Sequence, residues 1–362
     1  MNDANQSNKR LNFWLGRPPF AIVGFLKPLK RILGDRLAIY VKKESTSNRS
    51  GLDSCVISEL KCQYVASSDI DSIDVSNSIN IVNGFNSFFL PFLIKKRGSA
   101  CFDLGCFTEL PCPMGHFKPL KQWLLNFKYR RAIKKSSNYF DFILPIGTHA
   151  EEYFKRIGWK KCIKSMPYIT DFDSESTLKI QKNNEETVFC YIGRNDFCNK
   201  GLDLAINGIK KQDKAKLVII GQYGPDKEKV SRIARANNRI IHLSSVEPEN
   251  IVECLKQYNV NCLIVPSKID GWNPNVYMAV ILGIPCLASR KAGSHTLIEE
   301  IDNNLVFKPK QLSLKKTISY FINMDNNEIN ALKTKILLER EKMMPTQLVK
   351  DVILYLEQHF DL

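Results

Sequence analysis

Short apolar runs alternate with segments of three- and four-residue apolar spacing along nearly the whole chain. In the first half, LNFWLG, RLAIYVK, CQYVAS, INIVNGF, ACFDLGCF and DFILPIG read as strands bounded by Gly, Ser or Asp. FAIVGFLKPLKRIL and SFFLPFLIKK between them carry helical spacing. A basic segment, Phe117 to Ser136, reads as a longer helix, and Pro119 suits its first turn. The polar stretch PYITDFDSESTLKIQKNNEET then reads as a linker and surface loop. After it the rhythm restarts: TVFCYIG, the helix GLDLAINGIKK, KLVIIG, the helix DKEKVSRIARAN, RIIHLSS, the helix ENIVECLKQY, NCLIVPS and the helix VYMAVILG. Strands separated by helices predict parallel sheets with right-handed crossovers. Two such runs joined near residue 170 predict an α/β chain of two Rossmann-like domains.

Composition agrees with two domains. The chain has 362 residues, 44% hydrophobic and 25% charged, enough for two cores of ordinary size. Its uninterrupted apolar runs reach about seven residues, as in Phe88 to Ile94, far short of the roughly 18 to 20 residues of a spanning helix, and the first residues do not read as a secretory signal. Eleven scattered cysteines suit a reducing cytoplasm. Cys101, Cys106 and Cys112 lack the spacing of a zinc site, and the Asp69/Asp71 pair is remote in sequence from the chemistry below. Charge is lopsided. Residues 1–170 hold 26 Lys and Arg against 13 Asp and Glu, a net +13, which leaves +2 of the total +15 for the rest. Such a field favours an anionic partner: phosphate, nucleic acid or an acidic membrane surface. No recognition-helix, zinc or RNA-binding motif supports nucleic acid.

Two strand ends in the second half carry unusual chemistry. TVFCYIG runs into Arg194, then Lys200 and Gly201 before a helix, and two cations at a strand-to-helix turn form an anion site. NCLIVPS runs into Asp270, Gly271, Trp272, Asn273, Pro274 and Asn275 ahead of an apolar helix. The backbone N–H groups of residues 271–275 are expected to face outward there, ready for a diphosphate, unless Asp270 merely caps the helix.

The order G-R-x-x-x-x-x-K-G, a strand ending IIG, a strand ending PS, then D-G-W and G-x-P resembles glycosyltransferase family 4, most strongly from Val188 to Phe307. The D-G-W opening is similar to a subgroup from surface-polysaccharide pathways. The resemblance implies a GT-B fold, two Rossmann-like domains facing across a cleft, with an acceptor domain at 1–168, a donor domain at 169–340 and a helix at 341–362 returning to the N-terminal domain. It implies a retaining hexosyltransferase, acting from a UDP- or GDP-sugar on a lipid-linked glycan such as O-antigen or capsule, with no metal or other cofactor. Arg194 and Lys200 match the family's pair on the donor diphosphate, where they neutralise leaving-group charge. Asp270 matches the first Glu of its E-x7-E signature, near the sugar hydroxyls, and Gly271 to Val276 its donor loop. Gly221, Ser245 and Val246 match its nucleoside contacts.

One position departs. Met278 stands where the family has the second Glu, which accepts hydrogen bonds from the ribose, and a thioether is a poor acceptor. A donor-impaired binding protein and a sugar-nucleotide epimerase therefore stay open as alternatives.

The N-terminal half offers less. Gly16 and Arg17 end the first strand on the expected acceptor side, without the family's Gly-Gly pattern. His116 is a candidate for polarising acceptor or sugar, against a plain solvated loop histidine; Glu109 and His149 are weaker candidates of the same kind. The basic helix, with Trp123, Leu124 and Phe127 among its cations, reads either as a membrane-surface element or as an amphipathic helix with a solvated face. With the N-terminal charge it leads to an expected location in the cytoplasm, peripheral on the inner face of the plasma membrane.

Overall fold

The computed structural model describes residues 9–17, 22–43, 58–111, 118–166, 168–169, 186–221, 223–243, 246–247 and 250–362. The linker read around residue 170 and the candidates His116 and Ser245 lie outside these residues. The chain divides into two compact units, one of residues 1–111, 122–171 and 345–362, the other of residues 112–121 and 172–344.

The first unit holds a seven-stranded sheet of β1 (Arg10–Leu15), β2 (Leu37–Lys42), β3 (Gln63–Val65), β4 (Ser78–Asn83), β5 (Asp103–Thr108), β6 (Phe142–Pro145) and β7 (Cys162–Ile163). Every pairing is parallel, in the order β3-β2-β1-β4-β5-β6-β7. Its central strands are buried on both faces, as a parallel sheet covered on both sides requires, with Asn12, Asn80 and the Trp14 indole hydrogen-bonded to one another inside. Helices α1 (Val23–Leu33), α2 (Leu90–Lys96), α3 (Lys118–Ser136) and α4 (Thr148–Arg156) accompany it.

The second unit repeats the scheme with β8 (Thr187–Ile192), β9 (Ala215–Ile220), β10 (Ile240–Leu243), β11 (Cys262–Val265), β12 (Cys286–Ser289) and β13 (Val306–Phe307). These are parallel, in the order β10-β9-β8-β11-β12-β13. Its helices are α5 (Leu202–Ile209), α6 (Lys227–Arg235), α7 (Ile251–Gln257), α8 (Pro274–Leu282), α9 (Thr296–Ile301), α10 (Gln311–Asn323) and α11 (Asn326–Lys342). Both sheets are thus Rossmann-like, and in each the strand order reverses once: between β1 and β4, and between β8 and β11.

Helix α8 has no polar face because it is covered all round, every residue from Val276 to Leu282 being buried. Helix α11 lies against it, with Arg340 Nε donating to Ile281 O at 2.8 Å and Tyr277 Oη to Met343 O at 2.9 Å. The chain then returns to the first unit as α12 (Pro345–Phe360), which packs on α1 and buries Val349, Val352, Ile353, Leu356 and Phe360. The Phe360 ring meets Phe142 of β6 at 4.6 Å between centroids, and Lys9 Nζ donates to Phe360 O at 2.7 Å.

Candidate functional site

In a doubly wound sheet the crevice for a ligand opens beyond the C-terminal ends of the strands, where the strand order reverses. In the second unit that point lies between β8 and β11, which are hydrogen-bonded neighbours: Phe189 faces Cys262 and Cys190 faces Leu263. The two loops that carry the unusual chemistry are therefore adjacent. The β8 loop ends in Gly201, left-handed at φ 68°, and a Cβ there would stand 2.1 Å from Pro266 O of the β11 loop. Only glycine allows that approach. Lys268 stitches the loops further: its N–H donates to Asn199 O at 2.8 Å, and its Nζ to Phe197 O at 2.8 Å and Asp203 Oδ2 at 2.8 Å.

Within this frame Lys200 Nζ meets Asp270 Oδ2 at 2.5 Å. The same carboxylate oxygen accepts from Asn273 Nδ2 at 2.9 Å and Ser267 Oγ at 3.3 Å. An ammonium has three donors and one is used here, so Lys200 retains capacity for an anion. Arg194 is more open, with Nη2 3.7 Å from Asp196 Oδ2. Asp196 is buried, which raises its pKa, but Asn199 donors and the Arg194 charge outweigh burial and hold the carboxyl below its ordinary value. Tyr191 Oη donates to Arg194 O at 2.5 Å and fixes the loop backbone. Burial first, and then the Asp196 and Asp270 charges, push that phenol far above its ordinary pKa, so it remains a donor.

The start of α8 decides the capping alternative and trims the expected row of N–H groups. Asn273, not Asp270, is the N-cap: its Oδ1 accepts from Asn275 N at 3.1 Å. The expected row of outward N–H groups over residues 271–275 is shortened accordingly, because Asn275 N is taken and Pro274 has none. Asn275 also turns inward, its Nδ2 donating to Ile192 O at 2.7 Å and tying α8 to the end of β8. Asn273 holds φ 67° and ψ 94°, a backbone seldom adopted by a side-chain-bearing residue. Trp272, Val276 and Met278 are buried, and Gly271 is partly exposed.

A third segment, unnoticed in the sequence, props this loop from behind. Gly293 N donates to Asp270 O at 3.2 Å, Ser294 N to Trp272 O at 2.8 Å, and Ser294 Oγ to Asn273 O at 2.8 Å and to Trp272 O. A Cβ on Gly293 would sit 1.9 Å from Gly271 O, so the contact again requires glycine. The buried Asn195 was also missed. Its Nδ2 donates to Gly221 O at 3.0 Å and lies 3.3 Å from His242 Nε2, linking the ends of β8, β9 and β10. His242, Leu243 and Val246 then line a cavity of about 630 Å³ with one face of α7. The sequence signal for Asn195 is only its place in the Arg194–Lys200 stretch; nothing local marks Ser294.

The first unit places Gly16 and Arg17 after β1, at its own reversal point, with Arg17 exposed. Glu109 follows β5 and accepts from Tyr168 Oη. Burial, then the Glu109 charge, raise the Tyr168 pKa. His149 is the second residue of α4, whose N-cap is Gly147, and its Nδ1 lies 3.6 Å from Glu152 Oε2. Among the described residues no group of three or more His, Cys, Asp or Glu is disposed to hold a metal ion, and no helix is long and apolar enough to cross a membrane.

Comparison with known proteins bears on this arrangement. Residues 173–335 match the profile of the family described as Glycosyl transferases group 1. No curated protein sequence matches the chain. Among solved structures the chain is similar to HepE of Anabaena in complex with UDP, at 12% identity and a TM-score of 0.73 over 96% of this chain and 100% of that one. It is similar to the lipopolysaccharide outer core galactosyltransferase WaaB (15% identity, TM-score 0.66, 96% and 99% covered). A third likeness is the sucrose-phosphate synthase of Thermosynechococcus elongatus (11% identity, TM-score 0.67, 98% and 100% covered). At such identities the likeness concerns the fold, which is that of the GT-B glycosyltransferases: two parallel-sheet Rossmann-like domains.

Proposed function

We propose that this chain is a retaining glycosyltransferase of the family 4 type, which takes a hexose from a nucleoside-diphosphate sugar held in the second unit. The observation that carries the reading is the junction at the β8/β11 reversal, where Lys200 meets Asp270 at 2.5 Å, with Arg194 in the same β8 loop as Lys200. Bond breaking at C1 of a sugar diphosphate builds negative charge on the departing phosphate. Two cations fixed at a strand end stabilise that charge without reorganising. Asp270, oriented by Asn273 and Ser267, holds Lys200 in place and presents its remaining lone pairs toward donor sugar hydroxyls. In this reading the acceptor hydroxyl attacks the face the diphosphate leaves, and no metal ion or cofactor takes part. In this reading the nucleoside lies toward Gly221 and Val246; the likeness in fold to HepE, a protein solved in complex with UDP, supports a nucleotide as ligand. The acceptor is a lipid-linked glycan of the O-antigen or capsule kind, in keeping with the likeness to WaaB.

The test is nucleotide release from UDP-glucose, UDP-galactose and GDP-mannose, with parallel thermal shifts on adding UDP or GDP. The parent chain is expected to leak sugar slowly to water and to be stabilised by one nucleotide, since ligand binding to the native state raises stability by mass action. No release and no stabilisation with any nucleotide would overturn the reading. A second reading, a nucleotide-sugar binder without transfer, is favoured by one observation: the buried Met278 supplies no carboxylate on α8. It predicts stabilisation by nucleotide with no release.

A further inference from the structure

We propose that the outward face of α3 is a docking surface for an anionic lipid bilayer. Leu120, Trp123, Leu124 and Phe127 recur at three- and four-residue spacing, which places them on one side of the helix. They are 61%, 62%, 51% and 59% exposed. The Trp123 and Phe127 rings stack at 6.3 Å and 17°, so the four side chains form a continuous ridge. They are not core residues that lost their place, because the other side of the helix already supplies the packing. Ile133 and Ser136 are buried, Tyr129 meets the rings of Phe85 and Phe154, and Asn126 Oδ1 accepts from Tyr153 Oη at 2.9 Å.

Along the same outward side the helix turns cationic over its last two turns, where Arg130, Arg131, Lys134 and Lys135 are all exposed. The helix carries seven Lys and Arg and no Asp or Glu in 19 residues. An apolar ridge continued by cations matches the boundary of a bilayer, with rings and leucines entering the acyl margin and cations meeting anionic headgroups. A polynucleotide would also take the cations and the rings. It has no use for Leu120 and Leu124, which offer no face for a base to stack on. Lipid satisfies all eight side chains. This inference does not rest on the sugar-transfer reading, and its test contains no nucleotide.

The test is sedimentation of the full chain with vesicles of phosphatidylcholine alone, or with about a third phosphatidylglycerol, at low and high salt. Binding is expected only to the anionic vesicles and is expected to fall in high salt, because headgroup attraction is screened. Arg131→Gln with Lys134→Gln should weaken it about 25-fold, at about fivefold per cation. Trp123→Ser with Phe127→Ser should abolish it with no change in melting temperature, since both side chains are exposed. The chain supplies its own depth gauge. Of its four tryptophans, Trp14, Trp159 and Trp272 are buried, so a blue shift on vesicle binding and quenching by brominated acyl chains report Trp123 alone. Trp123→Phe should keep the binding and lose the optical signal. Equal binding to both vesicle types, or none to either, would overturn the proposal. So would binding to single-stranded RNA without vesicle binding, or a concentration-dependent dimer that shifts Trp123 emission by itself.

Discussion

Replacing Gly293 by alanine perturbs the candidate site from behind, through the backbone of the donor loop and not through the charged side chains Arg194, Lys200 or Asp270. The new Cβ would lie 1.9 Å from Gly271 O and 2.7 Å from Gly271 C. A comfortable carbon contact is about 3.5 Å, so the two backbones must part by more than about 1 Å. Four hydrogen bonds from Gly293 and Ser294 to the carbonyls of Asp270, Trp272 and Asn273 span the same gap. Losing two of them at about 1 kcal/mol each, with about 1–3 kcal/mol of overpacking, gives a loss of about 3–5 kcal/mol. For a unit of this size that is a fall of about 10 °C in melting temperature. Gly98→Ala is the control, since its Cβ would meet only Lys95 O at 3.6 Å. Differential scanning calorimetry with and without UDP reads both effects, and a 1 Å displacement of Asp270 should lower nucleotide release about 100-fold. If Gly293→Ala melts within about 2 °C of the parent and responds to UDP unchanged, the prop beneath the loop does not hold Asp270 in place.

Arg194→Ala and Lys200→Ala should each slow nucleotide release by about 10²–10³-fold; wild-type turnover and nucleotide affinity in both would sink the donor assignment. Lys200→Ala should also melt somewhat lower, because Asp270 loses its 2.5 Å partner, whereas Arg194→Ala should not. Asn273→Ala loses a helix cap of about 1 kcal/mol and must hold φ 67°, so it should melt below Asn273→Gly, which holds that φ freely; the reverse order in calorimetry contradicts the cap geometry. Met278→Glu buries a carboxylate and should lower the melting temperature alone, yet tighten UDP binding about tenfold or more if this position faces the ribose. Isothermal titration decides that, and unchanged affinity would remove Met278 from the nucleoside site.

The repeating elements were legible because parallel strands covered on both faces must be apolar throughout, as in KLVIIG and NCLIVPS, and the helices between them show their own period. Arg194, Lys200 and Asp270 were legible as strand-end chemistry. The meeting of Lys200 with Asp270 was not, for it depends on β8 lying beside β11, a pairing no local pattern specifies. β7 and β13 are two residues long and have no period to read. The cap at Asn273 was not legible, for a particular reason. A residue before proline is normally pushed toward negative φ and an extended backbone, and Asn273 keeps the extended ψ but reverses the sign of φ. The role of Ser294 rests on carbonyls more than twenty positions away, so its neighbours in sequence do not reveal it.

The return of α12 to the first unit sets a problem for the chain as it leaves the ribosome. Residues 9–171 can lay down β1 to β7 early, yet the face of α1 that α12 covers must wait until the whole second unit has been translated. At about 5 to 20 residues per second, that delay is on the order of ten to thirty-five seconds. During it, Phe142 lacks Phe360 and Lys9 lacks its carbonyl, although each belongs to the earliest part of the product. The nascent chain therefore carries an unfinished apolar strip through most of its synthesis, a natural place for a chaperone to hold it. Strictly vectorial folding is closed to this topology, because α12 must dock onto a helix translated about 300 residues before it.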